Sequence, residues 1–306
     1  MLWLKGVFSW LLNLLDHGLQ RTGGDILIKA VVRFGDGIGR RSWLRSVVKN
    51  VQQGLLNVGL PMGVDGRFGA GTRTTAKAFQ QANGLEPTGV FDKATWKTVS
   101  EHLPQPAADV NLLLKNFNGD LDWVHQQEGF RGRPYWPGGA SGVTLDPGID
   151  VGHASMDFIE ALYGPLLTKR QMGALRLVLG FKGADARDAL KKSRLIQTIR
   201  ITSAEGVALM PHTAQPYWDG ITRRFPALAR KDTPASVQTV LLSLAYNRGI
   251  LNRHLESLGA PLKAKKWDEV AAIIGSMQQN HKLKGIRVRR RQEGMVIEAE
   301  LRFMAS

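Results

Sequence analysis

EGFRGRPYWPGGASGVTLDPGIDVGH, residues 128–153, is the stretch around which the chain is organised. It opens with a carboxylate at the end of a helical pattern. Leu121, Val124 and Glu128 recur at i, i+3 and i+7, which places Glu128 on a helix face shared with apolar residues. Gly129 stops such a helix at little cost because glycine tolerates positive φ. Pro137-Gly138-Gly139 and Asp146-Pro147-Gly148 then read as turns, while Val143-Thr144-Leu145 and Ile149-Asp150-Val151 alternate as short strands. In each triplet the polar residue points away from its apolar neighbours. Thr144 and Asp150 are therefore predicted to face one cleft, anchored by the flanking side chains.

A carboxylate on a core-facing stripe is partly desolvated, and desolvation favours the protonated form that a general acid must hold. Glu128 is the proton-donor candidate, and Thr144 with Asp150 makes a water site beside it. Glycoside hydrolysis needs such a pair, one acid for the leaving oxygen and one carboxylate to activate water or attack. Asp146 lies in Asp-Pro-Gly, where a side chain usually stabilises a turn.

Glu128-Gly129-Phe130, then Ser141-Gly142-Val143-Thr144, then Gly148-Ile149-Asp150-Val151-Gly152-His153 together resemble the catalytic region of phage-type lysozymes, most closely the pesticin-like muramidases. The resemblance implies Glu128 as acid, Asp150 as base and Thr144 as a holder of the attacking water. Residues 242–249 and 285–293 look like that family's cleft helix and its Arg-rich C-terminal helix. The resemblance covers about residues 115–306 and departs most over 154–230. Candidate substrate contacts are Trp136, His153, Tyr246 and Asn247. Asn247 is suited to a sugar amide or to a plain helix end, and His153 either contacts Glu128 or finishes a turn.

Upstream, Gly66-Arg67-Phe68-(x)3-Thr72 returns 23 residues later as Gly89-Val90-Phe91-(x)3-Thr95. Each copy reads as a turn, an aromatic plug and a Thr placed to cap the next helix. Three helical patterns accompany them: Val48, Val51, Leu55 and Val58 closed by Gly59; Ala76 and Phe79 closed by Gly84; and Trp96, Val99 and Leu103. This unit is similar to the peptidoglycan-binding module of wall hydrolases, on Val64-Asp65-Gly66-Arg67-Phe68-Gly69, Phe79-Gln80 and Gly84-Leu85. Phe68, Phe79, Phe91 and Trp96 are expected in its core, and the exposed Asp65 and Arg67 are the candidate wall contacts.

The expected organisation is an N-terminal segment 1–43, a wall-binding domain 44–103, a Pro-stiffened linker 104–114 and a lysozyme-like domain 115–306. The expected fold class is α+β, mostly α, with a short β segment at the catalytic site. Residues 2–15 carry an apolar helical stripe, short of the roughly 20 apolar residues that span a bilayer. They read as a packing helix or an interfacial one. Neither a clear signal peptide nor a transmembrane helix is read.

The chain has no cysteine, which excludes disulfides, thiolate metal sites and cysteine nucleophiles. Its 41 Lys and Arg against 26 Asp and Glu give a net charge of +15, a field that favours polyanionic partners. No nucleic-acid motif, serine-hydrolase elbow, Walker loop or dinucleotide fingerprint appears, and the histidines lack metal-ligand spacing. No cofactor and no metal are expected. The two resemblances together imply a monomeric peptidoglycan hydrolase of endolysin type, made in a host cytoplasm and acting on glycan strands in the periplasm, with contact to anionic membrane or lipopolysaccharide as an accessory that the charge allows. The expected target is the β-1,4 bond from N-acetylmuramic acid to N-acetylglucosamine. Rival readings are a lytic transglycosylase, a non-catalytic wall anchor and a secreted muramidase toxin. In the C-terminal helix, Arg287, Arg289, Arg290 and Arg291 are expected to solvate a face.

Overall fold

The computed structural model describes residues 28–102 and 114–306. The stripe at 2–15 and nearly all of the expected linker fall outside the described residues. Among the described residues the chain is mostly helical with one two-stranded sheet. Among the described residues no helix is long and apolar enough to cross a membrane. The described residues divide into two compact units, one of His125–Thr213 and one of residues 28–102 and 114–124 with Ala214–Ser306.

In the larger unit, α1 (Arg45–Asn57), α2 (Ala70–Ala82) and α3 (Lys93–His102) surround Phe68, Phe79, Phe91 and Trp96, all buried as expected. Gly59 and Gly84 close α1 and α2 at positive φ. Two glutamines organise the two repeat loops in the same way. Gln52 donates to Asp65 Oδ1 (2.9 Å), Arg67 O (3.2 Å) and Thr72 Oγ1 (3.0 Å), and accepts from the Gly66 amide (2.8 Å). Gln80 donates to Thr88 Oγ1 (3.3 Å), Val90 O (2.7 Å) and Thr95 Oγ1 (3.0 Å), and accepts from the Gly89 amide (2.9 Å). Each side chain thus supplies a turn of irregular backbone with the partners that burial demands.

The repeat threonines do not cap their helices. Thr72 and Thr95 sit at the third helical residue, where the glutamines engage their hydroxyls, and Asp92 accepts the Thr95 amide at 2.9 Å in the capping role. Residues 28–33, within the N-terminal segment to which the sequence assigned no role, run along this unit, and residues 34–37 turn. Val32 bridges Phe91, the Gly35 amide donates to Phe68 O, and the Trp96 indole donates to Ala30 O at 3.0 Å.

The same unit holds α10 (Ala235–Arg248), α11 (Gly259–Lys263), α12 (Trp267–Ser276) and α13 (Lys284–Ala305). Residues 236–245 of α10 are all buried, so the stripe of Val237, Val240, Leu241 and Leu244 belongs to a helix enclosed on every side. α12 and α13 cross closely where a Cβ on Gly294 would lie 2.8 Å from Ala271 O. The arginines of α13 do not form a solvated face. Arg290 is 1% exposed and pairs with the buried Glu293 at 2.9 Å, Arg289 donates to Ser243 Oγ at 2.9 Å, and Arg291 alone of the four is exposed. The i,i+3 spacing from Arg290 to Glu293 lets each neutralise the other away from water.

In the smaller unit, β1 (Thr144–Leu145) and β2 (Ile149–Asp150) pair antiparallel, with Thr144 opposite Asp150 and Leu145 opposite Ile149. Val143, Leu145, Ile149 and Val151 enter one core with Ile159, Leu162 and Tyr163 of α5 (Met156–Tyr163) and Leu175 of α6 (Lys169–Arg176). Ile196 of α8 (Arg194–Gln197) completes that core, with α7 (Gly183–Lys192) contributing Ala186. Thr168 with Gln171 and Thr202 with Glu205 each form a capping box, the Thr-x-x-Gln/Glu spacing letting side chain and amide satisfy each other at the helix start. Two helices pass through the unit boundaries: α4 (Leu121–Glu128) and α9 (Ser203–Arg224).

Candidate active site

α4 ends at Glu128, and Gly129 follows at φ +80°, so the chain leaves the helix directly after the carboxylate. Glu128 is half-buried. The loop that leaves it is held by Asp146, whose Oδ2 accepts the amides of Arg131 (3.0 Å) and Gly132 (2.5 Å). Asp146 is 4% exposed, and its own carbonyl accepts the buried Tyr163 hydroxyl at 2.6 Å. Its side chain therefore fastens the Glu128 loop to the hairpin turn, a longer-range role than stabilising Asp-Pro-Gly alone.

Asp150 is oriented by a different set of donors. The Gly142 amide reaches both its oxygens, at 2.9 and 3.0 Å, and the Gly152 amide reaches Oδ1 at 2.8 Å. His153 places Nδ1 at 3.1 Å from Oδ2 while its own amide donates to Asp150 O at 3.1 Å. His153 thus finishes the turn and contacts the candidate base. The carboxylate remains open to solvent, its side chain 24% exposed. Two glycines make this cradle possible. A Cβ on Gly142 would lie 2.4 Å from Asp150 Oδ1, and one on Gly152 would lie 2.4 Å from Phe181 O.

Thr144 is 3% exposed and its hydroxyl donates to Gly142 O at 3.4 Å. Its backbone is committed to the other side, for it donates to Tyr135 O at 2.8 Å and accepts from the Tyr135 amide at 3.0 Å. Thr144 opposite Asp150 is therefore the non-hydrogen-bonded kind of pair, in which facing side chains approach most closely. Tyr135, Thr144 and Asp150 form one row across three extended segments, and residues directly opposite in antiparallel pairs share a face.

Sequence reading missed Tyr135. Burial pushes its phenol above the ordinary value, the Arg131 guanidinium opposes this, and the carboxylates of Asp146, Asp150 and Glu128 add to it. The phenol is within electrostatic reach of all three carboxylates, and Arg131 lies over its ring, 4.0 Å from the centroid.

Of the remaining candidates, Trp136 donates its indole N–H to Ser141 O at 3.0 Å and packs on the core of the smaller unit, leaving part of the ring accessible. Tyr246 and Asn247 end α10 in the larger unit. Tyr246 stacks on Tyr217 with centroids 4.7 Å apart, and Asn247 is exposed. Asp65 and Arg67 are exposed on the first repeat loop. The Asp65 carboxyl lies below the ordinary carboxylate value: burial pushes it up, and hydrogen bonds from Gln52 and the Arg67 and Asp65 amides, with the Arg67 charge, outweigh that.

Residues 45–99 match the family model of the peptidoglycan binding domain, and residues 118–268 match the pesticin model, "Bacterial toxin homologue of phage lysozyme, C-term". The chain carries a peptidoglycan-binding domain followed by a pesticin-type, phage-lysozyme-like domain. Every candidate catalytic residue lies within the second match. A solved structure titled "Crystal structure of Burkholderia AP3 phage endolysin" aligns over 90% of this chain and 100% of its own at 20% identity. Its TM-score of 0.21 is too low for any comparison of geometry. No curated protein matches. The two family matches support a peptidoglycan-cleaving enzyme with peptidoglycan as its partner.

Proposed function

We propose that the protein is an N-acetylmuramidase that cleaves the β-1,4 bond from N-acetylmuramic acid to N-acetylglucosamine. The observation that carries this reading is the cradle of Asp150: a partly exposed carboxylate fixed by the Gly142 and Gly152 amides beside Thr144, in the same small unit as Glu128. A lytic transglycosylase needs an acid and no water-activating base, so an orientated second carboxylate favours hydrolysis. Glu128 at the mouth of its helix gives its proton to the leaving glycosidic oxygen as the bond breaks. Asp150 accepts a proton from the water that attacks the anomeric carbon, and the Thr144 hydroxyl holds that water against the base. Asp65 and Arg67 are the proposed wall contacts of the binding module, with Trp136, His153, Tyr246 and Asn247 the proposed contacts to glycan.

The test is mass spectrometry of muropeptides released from purified peptidoglycan. Reducing N-acetylmuramic acid ends are expected from the wild type, and none from Glu128→Gln. Anhydro ends would assign the chain to the transglycosylases instead.

A further inference from the structure

We propose that Tyr135 is a positioning residue for the hydrolysis, its hydroxyl donating into the space served by Asp150 and Glu128, where it orders the water and the base that act on the glycan. This inference rests on the muramidase reading above and adds a group to it.

The geometry comes from the row. Tyr135 exchanges both backbone hydrogen bonds with Thr144, at 3.0 and 2.8 Å, so its register against the strand is fixed. Thr144 in turn faces Asp150, which puts the three side chains on one face of the ribbon. A tyrosine is the longest of the three side chains, and its phenol lies within electrostatic reach of both Asp150 and Glu128. Its ring is restrained by the Arg131 guanidinium on one side, 4.0 Å from the centroid. The charged or titratable groups around it come from each neighbouring segment: Glu128 and Arg131 from the end of α4 and its loop, Asp146 from the hairpin turn, and Asp150 from β2 with His153 against it.

Burial and three carboxylates keep this phenol protonated through the working range. A neutral O–H beside carboxylates acts as a donor and stabilises whichever of them is charged. The Arg131 amide and guanidinium therefore have separate uses: the amide fastens the Glu128 loop to Asp146, and the guanidinium restrains the Tyr135 ring.

The experiment uses the full chain and Tyr135→Phe, which keeps the ring, the backbone pairing and the Arg131 stacking and removes only the hydroxyl. Initial rates on purified peptidoglycan are expected to fall about ten- to a hundred-fold, the range of a lost hydrogen bond to a charged group. The melting temperature should stay at the wild-type value. The acidic limb of the pH–rate profile should move to higher pH, because a base that loses a donor is harder to ionise. Wild-type rates with an unmoved limb overturn the proposal, as does a rate loss that tracks a lower melting temperature with the limb in place. Glu128→Gln run alongside separates the two readings. Activity in Glu128→Gln removes the muramidase assignment itself, whereas an inactive Glu128→Gln beside a wild-type-like Tyr135→Phe removes only the role of Tyr135.

Discussion

The Gly142 amide and the Asp150 carboxylate meet at 2.9 Å, and no other residue type fits at position 142, because its Cβ would lie 2.4 Å from Asp150 Oδ1 and 2.4 Å from the Gly152 amide nitrogen. The Gly152 backbone cannot swing aside, so the Asp150 carboxylate is the group that must give. Gly142→Ala is therefore expected to turn the carboxylate out of its cradle and to reduce turnover about as much as Asp150→Asn, within the roughly 100- to 10,000-fold range of a general base. Rates on purified peptidoglycan for both variants provide the check. A Gly142→Ala enzyme with near-normal turnover would show that the cradle does not matter.

Asp146 and Asp150 lie four residues apart and are expected to fail in different ways. Asp146 is 4% exposed and spends Oδ2 on the Arg131 and Gly132 amides, bonds strengthened by its charge. Asp146→Asn keeps one acceptor but loses that charge, so the expected result is about 1–3 kcal/mol of lost stability with turnover within about tenfold of wild type. Asp150→Asn should show the reverse, a normal melt and a collapsed rate. Paired melting curves and rates decide between them. Full activity in Asp150→Asn with none in a folded Asp146→Asn would move the base to Asp146.

Much of this site was legible because its signals are local. Alternation placed Val143, Leu145, Ile149 and Val151 inside and Thr144 with Asp150 on one face, and Gly129 ended the helix where expected. Tyr135 was hidden because its partner Thr144 lies across a Gly- and Pro-rich loop that carries no periodicity. The glutamine latches were hidden for a related reason. Gln52 precedes Gly66 and Gln80 precedes Gly89 at different distances, so the self-similarity that exposed the repeat does not extend to the residues that hold it. Arg290 was read as surface because charge usually is, and only the fold shows that Glu293 accompanies it inward.

The latches make a measurable claim about the wall-binding module. Gln80→Ala strands the Gly89 amide and Val90 O inside a packed loop and removes the donor to Thr95 Oγ1. Unsatisfied buried groups cost about 1–3 kcal/mol each, so a loss of about 3 kcal/mol is expected, together with weaker co-sedimentation with purified sacculi. Gln52→Ala should behave alike through Gly66 and Arg67. Denaturant melts of both variants test this, and an unchanged midpoint would mean that water replaces the latch.

The segment before the module leads to a prediction about its limits. Ile28, Ala30 and Val32 are fully or almost fully buried, and Ala30 O accepts the Trp96 indole. A fragment of residues 28–102 is therefore expected to melt cooperatively at a higher temperature than one of residues 44–102, which exposes Phe91 and Trp96. Circular dichroism of the two fragments makes the comparison. Equal melting temperatures would show that residues 28–43 are dispensable to the fold.

The last prediction concerns pH and Glu300. This residue is 6% exposed on α13, and Oε2 accepts the Ser236 amide at 2.7 Å at the start of α10. The Ala235 and Lys29 amides also hydrogen-bond to the carboxyl. Burial nevertheless dominates and raises its pKa above the ordinary value of 4.5. In the window between the unfolded and folded values the native state binds the extra proton, so stability is full below about the ordinary value and is lost as pH rises through the folded one. Glu300→Gln removes that titration and keeps one acceptor for the Ser236 amide. Wild-type stability should decline from weakly acidic pH upward while the variant's profile stays flatter over the same range, approaching or exceeding the wild type at the alkaline end. Denaturant midpoints across that range are the measurement. Parallel profiles for the two proteins would show that Glu300 stays ionised in the fold and that the three amides outweigh its burial.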